Sequence, residues 1–407
     1  MRLDTARSKL AALLIRVCLA AGILGYGISI APPGSPRLMA LGLGLFALPL
    51  LCQALPWPLA RAYALWFGVF LVIQSVMTPV LLGDAADLIT NRPNMEITLN
   101  FEDGIGPGIT GPQRITTDEK SFRVSPRVDY RHKSGLRIFA IGGSTTEQET
   151  LNDEATWTHR TQAALSQEFG RPIEVINTGI RGLRAKHHVA TLKHILLLQP
   201  DIVVFLPGVN DWIFDIHERF GTDRPPNRVF FSNTILGRVA RTEYDRIFGL
   251  GTVSIVRNRP LTGEQGSLDR ARKVSWLPDR ASDQYLDSLL KISAICRQNK
   301  LTCVFLTQPS AYQMDAPEEM RDRFWMTPPI ASYTLTFESL VHIAQLYNRA
   351  LADFANERGH PFCDLASKIS PTTENFYDDV HYNDAGSSRV AEAVTDCLKP
   401  LVAAQKR

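Results

Sequence analysis

From residue 135 onwards, short and mostly apolar runs alternate with longer stretches of helical spacing. The apolar runs are Leu136–Ile141, Ile173–Asn177, Ile202–Leu206, Cys303–Thr307 and Phe362–Leu365. The stretches of helical spacing are Ala155–Phe169, Leu183–Gln199, Asp283–Asn299, Phe337–Arg358 and Asp384–Leu398. Continuous apolar strands that alternate with amphipathic helices are typical of a parallel sheet that helices cover on both faces. The pattern therefore predicts a three-layer α/β/α domain with a doubly wound, five-stranded parallel sheet.

Two segments depart from this alternation. Residues 213–282 separate the third strand from the next helix and contain Pro225-Pro226 and several glycines, which predicts an insertion in the position of a lid. Residues 83–130 are rich in Gly, Pro, Thr and charged residues without a sustained period, which predicts a linker or a small irregular subdomain. The α/β domain is accordingly expected to span residues 131–407.

Residues 1–82 contain three long apolar stretches, at Leu10–Ala31, Leu38–Leu55 and Ala62–Leu82. Each is close to the roughly 20 residues that a helix needs to cross a bilayer. We therefore predict a membrane region of about three transmembrane helices. A cleaved signal peptide is the alternative for the first stretch, because basic residues precede it.

The basic residues at the membrane region predict its orientation. Arg2, Arg7 and Lys9 precede the first stretch, Arg16 interrupts it near its start and would precede a span that begins late, and Arg61 lies between the second and third stretches. The positive-inside rule places these segments in the cytoplasm, although Arg37 in the outward loop argues against it. Three spans then place residues 83 onwards outside the cytoplasmic membrane, in the periplasm of a bacterium, whereas two spans would place them in the cytoplasm. We predict a multi-pass protein of the inner membrane with its large domain outside.

Charge and cysteine usage limit the possible ligands. Lys and Arg number 44 against 41 Asp and Glu, so the chain lacks the basic excess of a nucleic-acid-binding protein. No Cys-x-x-Cys pair occurs, which disfavours a zinc or redox site. An oxidising compartment would permit disulfides, and Cys296 and Cys303 are spaced to bridge a helix end to the next strand. Free buried thiols are the alternative for these two and for Cys363 and Cys397.

Small and polar residues follow the predicted strands. They are Gly142-Gly143-Ser144, Asn177-Thr178-Gly179, Pro207-Gly208-Val209-Asn210-Asp211 and, near the C-terminus, Asp378-Asp379-Val380-His381. The carboxyl ends of parallel strands meet at one edge of the sheet. A serine, glycines, an asparagine, aspartates and a histidine are therefore expected in one cleft.

Each of these residues also has a structural interpretation. Ser144 is placed to cap a helix, with Glu147 closing a capping box. Gly179 and Asn210-Asp211 suit turns, and His381 suits the protein surface. Three other histidines lie on a predicted helix, where we interpret them as surface or packing residues that lack the His-Glu-x-x-His zinc pattern: His187, His188 and His194. We predict neither a metal nor a cofactor.

The order of these motifs resembles the SGNH (GDSL-type) hydrolase superfamily over about residues 135–400. Gly143-Ser144, Gly179, Gly208-Val209-Asn210-Asp211 and Asp378-Asp379-Val380-His381 match its blocks in order. The departure is Gly143, where the family has an aspartate. The resemblance implies a flavodoxin-like sheet and a serine hydrolase that needs no metal.

The resemblance also implies residue roles. Ser144 would be the nucleophile, His381 its general base and Asp378 the carboxylate that orients the imidazole, with Asp379 and Asp384 as rivals for that last role. The oxyanion would be bound by the N–H of Ser144, the N–H of Gly179 and the side-chain amide of Asn210.

These expectations combine into a membrane-anchored serine esterase. Its expected substrate is an ester, O-acetyl first, on an extracytoplasmic carbohydrate or lipid. One alternative is an O-acyltransferase for a cell-envelope polysaccharide, which would need a partner membrane protein because three spans are few for moving an acyl group across the membrane. Another is an inactive glycan-binding scaffold.

Overall fold

The computed structural model describes residues 87–101, 105–124, 128–220, 253–257, 273–324 and 334–405. Their elements belong to one compact unit, Ile89–Arg224 with Leu250–Arg407. The predicted membrane region, residues 1–82, and most of the 213–282 insertion lie outside the described residues. Within the described ranges, no helix combines the length and the apolar character needed to cross a membrane.

The described elements follow one another in a mixed order of strands and helices. The strands are β1 (Glu96–Phe101), β2 (Pro112–Thr116), β3 (Leu136–Gly142), β4 (Ile173–Asn177), β5 (Ile202–Leu206), β6 (Val253–Arg257), β7 (Lys273–Val274), β8 (Thr302–Leu306), β9 (Thr334–Leu335) and β10 (Phe362–Cys363). The helices are α1 (Ser144–Glu147), α2 (Trp157–Phe169), α3 (Ala185–Ile195), α4 (Val209–Phe220), α5 (Asp283–Gln298), α6 (Glu318–Arg321), α7 (Phe337–Glu357) and α8 (Asp384–Ala404).

The central sheet confirms the predicted fold. Its five strands are all parallel and stand in the order β10-β8-β5-β3-β4. Every residue of β3 and β5 is buried, as expected for strands of a sheet with both faces covered. The chain leaves β3 towards β4 and then returns across β3 to form β5. The strand order therefore reverses beside β3, and ligands of such sheets bind at the carboxyl ends of the strands near that point.

Helices cover the two faces of this sheet. α2 connects β3 to β4 in one direction, and α3 connects β4 to β5 in the other. Because parallel crossovers are right-handed, these two helices lie on opposite faces. α8 packs beside α2, and α5 packs beside α3. α2, α5, α7 and α8 each begin after a residue whose side-chain oxygen accepts a backbone N–H of the first turn, as N-caps do.

The segment 83–130 is more regular than its composition predicts. β1 pairs antiparallel with β2 and parallel with β6, which comes from residues 253–257. Leu99 and Phe101 of β1 are buried in a second apolar cluster that includes Leu151 and Tyr377. The alternation in β1 is short, and one of its partner strands lies more than 150 positions away in sequence. Local periodicity therefore did not reveal this small sheet.

Two disulfides join elements of the α/β unit. Cys296 at the end of α5 is bonded to Cys303 in β8, the pairing that the spacing made possible. Cys363 in β10 is bonded to Cys397 in α8, and their Cα atoms lie 6.2 Å apart. The second pairing depends on the packing of α8 beside the edge strand, which sequence spacing does not show. The alternative of four free thiols is not what the structure contains.

Candidate active site

Ser144 is the first residue of α1, immediately beyond the carboxyl end of β3. Gly143 occupies the N-cap position of this helix. A Cβ atom on Gly143 would overlap the side-chain amide of Asn210, so glycine is what lets Asn210 approach. The family pattern has an aspartate at position 143. The glycine found there leaves room for the Asn210 amide to pack directly against the residue before Ser144.

Ser144, His381 and Asp378 form a continuous hydrogen-bonded chain. The Ser144 Oγ lies 2.7 Å from His381 Nε2, and His381 Nδ1 lies 2.8 Å from Asp378 Oδ2. Because a carboxylate only accepts hydrogen bonds, Nδ1 carries the proton and Nε2 is left to accept from the serine hydroxyl. The structure thus brings the predicted nucleophile, base and carboxylate together, and the hydroxyl that was a candidate helix cap bonds the imidazole instead.

Asp378 is held rigidly by the turn that also carries His381. Its Oδ1 accepts the backbone N–H groups of Val380 and His381, at 2.9 and 2.7 Å. The two rival aspartates have other partners: Asp379 accepts from the hydroxyl of Tyr312, and Asp384 forms an ion pair with Arg160. Because Asp378 and His381 are three residues apart, a single tight turn carries both side chains and places the Asp378 carboxylate against the His381 ring.

The surroundings of His381 favour its protonated form. Burial lowers the pKa of His381, but the negative charge of Asp378 and its hydrogen bond raise it, and the net result is a pKa above the usual 6.5. The ring of Tyr377 stacks almost parallel to the imidazole, with centroids 5.5 Å apart. These contacts stabilise the imidazolium that would form when the ring takes a proton.

A cavity of about 390 Å³ opens beside Ser144. Its lining includes Arg181, Gly182, Asn210, Tyr377 and Tyr382, together with Asp378 and His381. Asn210 donates one hydrogen of Nδ2 to the carbonyl of Leu183 at 2.9 Å, which fixes the plane of the amide. Asn210 thus lies where the sequence predicted it, next to Ser144.

Gly179 does not take the place that the sequence predicted for it. Its N–H is donated to Oδ1 of Asn177 at 2.8 Å, and it is not among the residues that line the cavity. A Cβ atom at position 179 would overlap the backbone of Glu147, so this glycine allows the loop to pack against α1.

Gly182, three residues further on, lines the cavity, and no acceptor for its N–H exists among the described residues. Gly179 lies nearer to the end of β4 in the sequence, but Gly182 is the glycine that lines the cleft. The prediction that placed Gly179 there is therefore wrong.

A buried arginine that the sequence did not single out supports the nucleophile segment. Arg123 donates to the carbonyls of Glu147 and Gln148, each at 2.6 Å, and to that of Leu151. It also pairs with Asp153 at 2.7 Å. These carbonyls lie at and just beyond the C-terminal end of α1. Because Arg123 lies in a segment without hydrophobic periodicity, nothing in the neighbouring sequence predicts that it binds these carbonyl groups.

Elsewhere in the described part of the chain, no group of His, Cys, Asp or Glu side chains is placed to hold a metal ion. His187 accepts the backbone N–H of Arg184 at the start of α3. His188, on the same helix, is buried. His187 therefore caps the start of α3, a role that the sequence did not indicate, and His188 packs inside the domain.

Comparison with known proteins identifies a family for the chain. The model of the GDSL-like Lipase/Acylhydrolase family matches residues 140–389, more than half of the chain. No curated protein matches the chain.

Several solved structures are similar at low identity. LAE5, an alpha/beta hydrolase enzyme from the metagenome of Lake Arreo, is 14% identical with a TM-score of 0.39, covering 66% of this chain and 99% of its own. A variant of Axe2, an acetyl xylan esterase from Geobacillus stearothermophilus, is 14% identical with a TM-score of 0.37, covering 65% of this chain and 95% of its own. Because these identities are low, the assignment of the chain to a family rests on the match to the family model.

Proposed function

The chain belongs to the GDSL-like lipase/acylhydrolase family of ester hydrolases, and on that premise we propose that it is a membrane-anchored serine esterase. It would remove an acyl group, with O-acetyl as the first candidate, from an extracytoplasmic carbohydrate or lipid. The observation that carries the proposal is the hydrogen-bonded chain from Ser144 through His381 to Asp378. A serine hydroxyl becomes an effective nucleophile when an oriented base lies within hydrogen-bond reach.

In the acylation step, His381 Nε2 takes the hydroxyl proton as Ser144 Oγ attacks the ester carbonyl carbon. The carbonyl oxygen becomes an oxyanion, which would be met by the N–H of Ser144, the N–H of Gly182 and the second hydrogen of Asn210 Nδ2. The C–O bond to the alcohol then breaks, and His381 donates its proton to the departing oxygen. The product is an acyl ester of Ser144 and the free alcohol.

In the deacylation step, His381 activates a water molecule that attacks the acyl-serine carbonyl. The same donors would hold the second oxyanion, and collapse releases the carboxylic acid and restores the Ser144 hydroxyl. Asp378 keeps the imidazole in the required tautomer and stabilises its charged form in both steps. The cycle needs no group beyond those at the cleft and water.

The cleft supports a short acyl group on a polar alcohol. Most of the residues that line it carry polar groups, with Gln148, Thr150 and Arg181 joining those already described, although their carbon atoms make up the larger part of the lining surface. Arg181 is held at the edge of the cleft by an ion pair with Glu149 at 2.7 Å. An ordinary lipid chain would need a continuous apolar surface, whereas hydroxyl groups of a sugar suit these side chains.

Hydrolysis of esters by the purified full-length protein in detergent tests this proposal. We expect kcat/KM for an acetyl ester to exceed that for an octanoyl ester at least about 10-fold, because polar groups interrupt the apolar surface that a longer chain would need to contact. An O-acetylated glycan should release acetate. Transfer of acetyl to an added glycan faster than to water would contradict hydrolysis and indicate the acyltransferase. Binding of glycan without turnover of any ester would indicate the scaffold.

The proposed location is outside the cytoplasmic membrane, with residues 1–82 as the anchor. The three apolar stretches and the distribution of basic residues support it. The Cys296–Cys303 and Cys363–Cys397 disulfides also support it, because such bonds persist in oxidising compartments.

A reporter that works only in the periplasm is expected to be active when it is fused after residue 130. The reason is that three spans carry the chain from a cytoplasmic N-terminus to the outer side. A matched fusion to a reporter that works only in the cytoplasm is expected to be silent. Activity of the cytoplasmic reporter instead would contradict the three-span topology.

A further inference from the structure

The loop of residues 180–185, which leads from β4 into α3, carries Gly182 to the cleft. We call it the Gly182 loop. Its backbone N–H and carbonyl groups are held from outside by side chains of two other segments. One of these segments contains Ser144, and the other contains Asn210.

The first contact is made by Glu147, the last residue of α1 and three positions beyond Ser144. Its Oε2 accepts the backbone N–H of Arg181 at 2.6 Å, one residue before Gly182. The close packing of Gly179 against the backbone of Glu147 brings the loop within reach. Glu147 therefore does not close a capping box with Ser144 and holds the neighbouring loop instead.

The other contacts lie at the far end of the loop. Asn210 Nδ2 donates to the carbonyl of Leu183, and both carboxylate oxygens of Asp211 lie 3.1 Å from the backbone nitrogen of Ala185. The Gly182 loop is thus held between α1 on one side and the start of α4 on the other. Its position is tied to the two segments that carry the other groups proposed to bind the oxyanion.

The burial of the Glu147 carboxyl group indicates a role beyond packing. The carboxyl group is buried, and burial of a carboxylate is costly unless it makes strong hydrogen bonds. Burial raises the pKa of Glu147 to about 7, with a further rise from Glu149, while Arg181 and Arg123 oppose the change. The Arg181 N–H bond to Oε2 is short at 2.6 Å, and a carboxyl oxygen can accept it in the ionised and in the neutral form, which suits a group that fixes a peptide.

We propose that Glu147 is a positioning residue: by accepting the Arg181 N–H, it fixes the following peptide so that the Gly182 N–H faces the oxyanion that forms on Ser144. This inference rests on the proposed function. Its consequence is that Glu147 contributes to stabilisation of the transition state without touching substrate.

Two variants of similar length separate this role from packing. Glu147→Met keeps the volume and removes the acceptor, whereas Glu147→Gln keeps an amide oxygen that can accept the same N–H. For Glu147→Met we expect kcat to fall about 10- to 100-fold with KM within about 2-fold, somewhat less than the loss of a direct oxyanion donor. For Glu147→Gln we expect kcat within about 3-fold of the wild type.

A boronic acid that forms a tetrahedral adduct on Ser144 provides the second measurement. Its inhibition constant should rise in parallel with the fall in kcat/KM in Glu147→Met, and Asn210→Ala should show the same parallel change. Glu392→Gln, an exposed position on α8, serves as the control and should match the wild type. Thermal unfolding of all variants shows whether each is folded at the assay temperature.

Three outcomes would overturn the inference. They are an unchanged kcat in Glu147→Met, a defect that Gln fails to correct, and a loss of activity that follows thermal unfolding while boronic acid affinity stays at the wild-type value. Failure of the proposed function looks different, because the wild type itself would then fail to hydrolyse esters, whereas failure of this inference leaves wild-type hydrolysis intact.

Discussion

Replacing Ser144 by Ala is expected to lower kcat for ester hydrolysis by about 10⁴-fold or more and to abolish labelling by a fluorophosphonate. The Ser144 Oγ is the atom that lies 2.7 Å from His381 Nε2, at the opening of the cavity. Without it no acyl-enzyme forms, and only the weak effect of binding and oxyanion contacts on direct attack by water remains. Steady-state kinetics and gel-based probe labelling measure the two effects.

The protein contains its own control for this experiment. Ser293 Oγ lies 2.7 Å from His360 Nε2, the same distance as in the cleft, but this pair lies beside Arg297 rather than an aspartate. Burial lowers the pKa of His360, and Arg297 lowers it further. Ser293→Ala is expected to leave hydrolysis and labelling close to the wild type. Equal labelling of the wild type and Ser144→Ala would exclude Ser144 as the nucleophile.

Replacing Asp378 by Asn is expected to lower kcat by roughly 10³- to 10⁴-fold with the fold retained. Asp378 accepts the Nδ1–H of His381 and two backbone N–H groups. An asparagine can present its NH₂ to Nδ1, which moves the ring proton to Nε2. The imidazole is then unable to accept the proton of Ser144, so the loss falls on kcat rather than on substrate binding.

The pH dependence of the Asp378→Asn variant provides a second measurement. Only neutral His381 acts as the base, so kcat/KM rises with pH through the pKa of His381, which lies above 6.5 in the wild type. Removing the charge of Asp378 lowers that pKa, and the rising limb should move to lower pH. Asp384→Asn, in which the ion pair with Arg160 is lost, is the control and is expected to stay within about 3-fold. A larger loss in that control than in Asp378→Asn would contradict the assignment.

The elements of the sheet were predictable because burial leaves a local pattern in the sequence. β5 is apolar at all five positions, and a strand with both faces covered allows little else. Asp378 was likewise predictable from the family pattern together with its spacing from His381, because three residues span one tight turn. β1 was not, since its short alternation becomes a strand only when β2 and the distant β6 pair with it.

Some site residues were visible only in three dimensions. Gly179 and Gly182 look equivalent in the sequence, and the hydrogen bond from Gly179 to Asn177 decides that Gly182 is the glycine of the cleft. Arg123 lies outside the predicted domain yet binds the carbonyl groups behind the nucleophile. Neither the role of Gly182 nor the contacts of Arg123 could be predicted from hydrophobic periodicity or residue spacing. Both depend on atoms that are distant in sequence and become neighbours only in the folded protein.

The order of strands and helices along the α/β domain and the residue types at the strand ends are predictable from the chain alone. These follow from local hydrophobic pattern and from the convergence of parallel strand ends at one edge. Packing in three dimensions settles which backbone N–H groups stay available for an oxyanion, that Cys363 pairs with Cys397, and which carboxylate holds the Gly182 loop. The reason is physical: a hydrogen-bond donor is available only if no acceptor lies within about 3.5 Å, and that depends on packing between residues far apart in the chain.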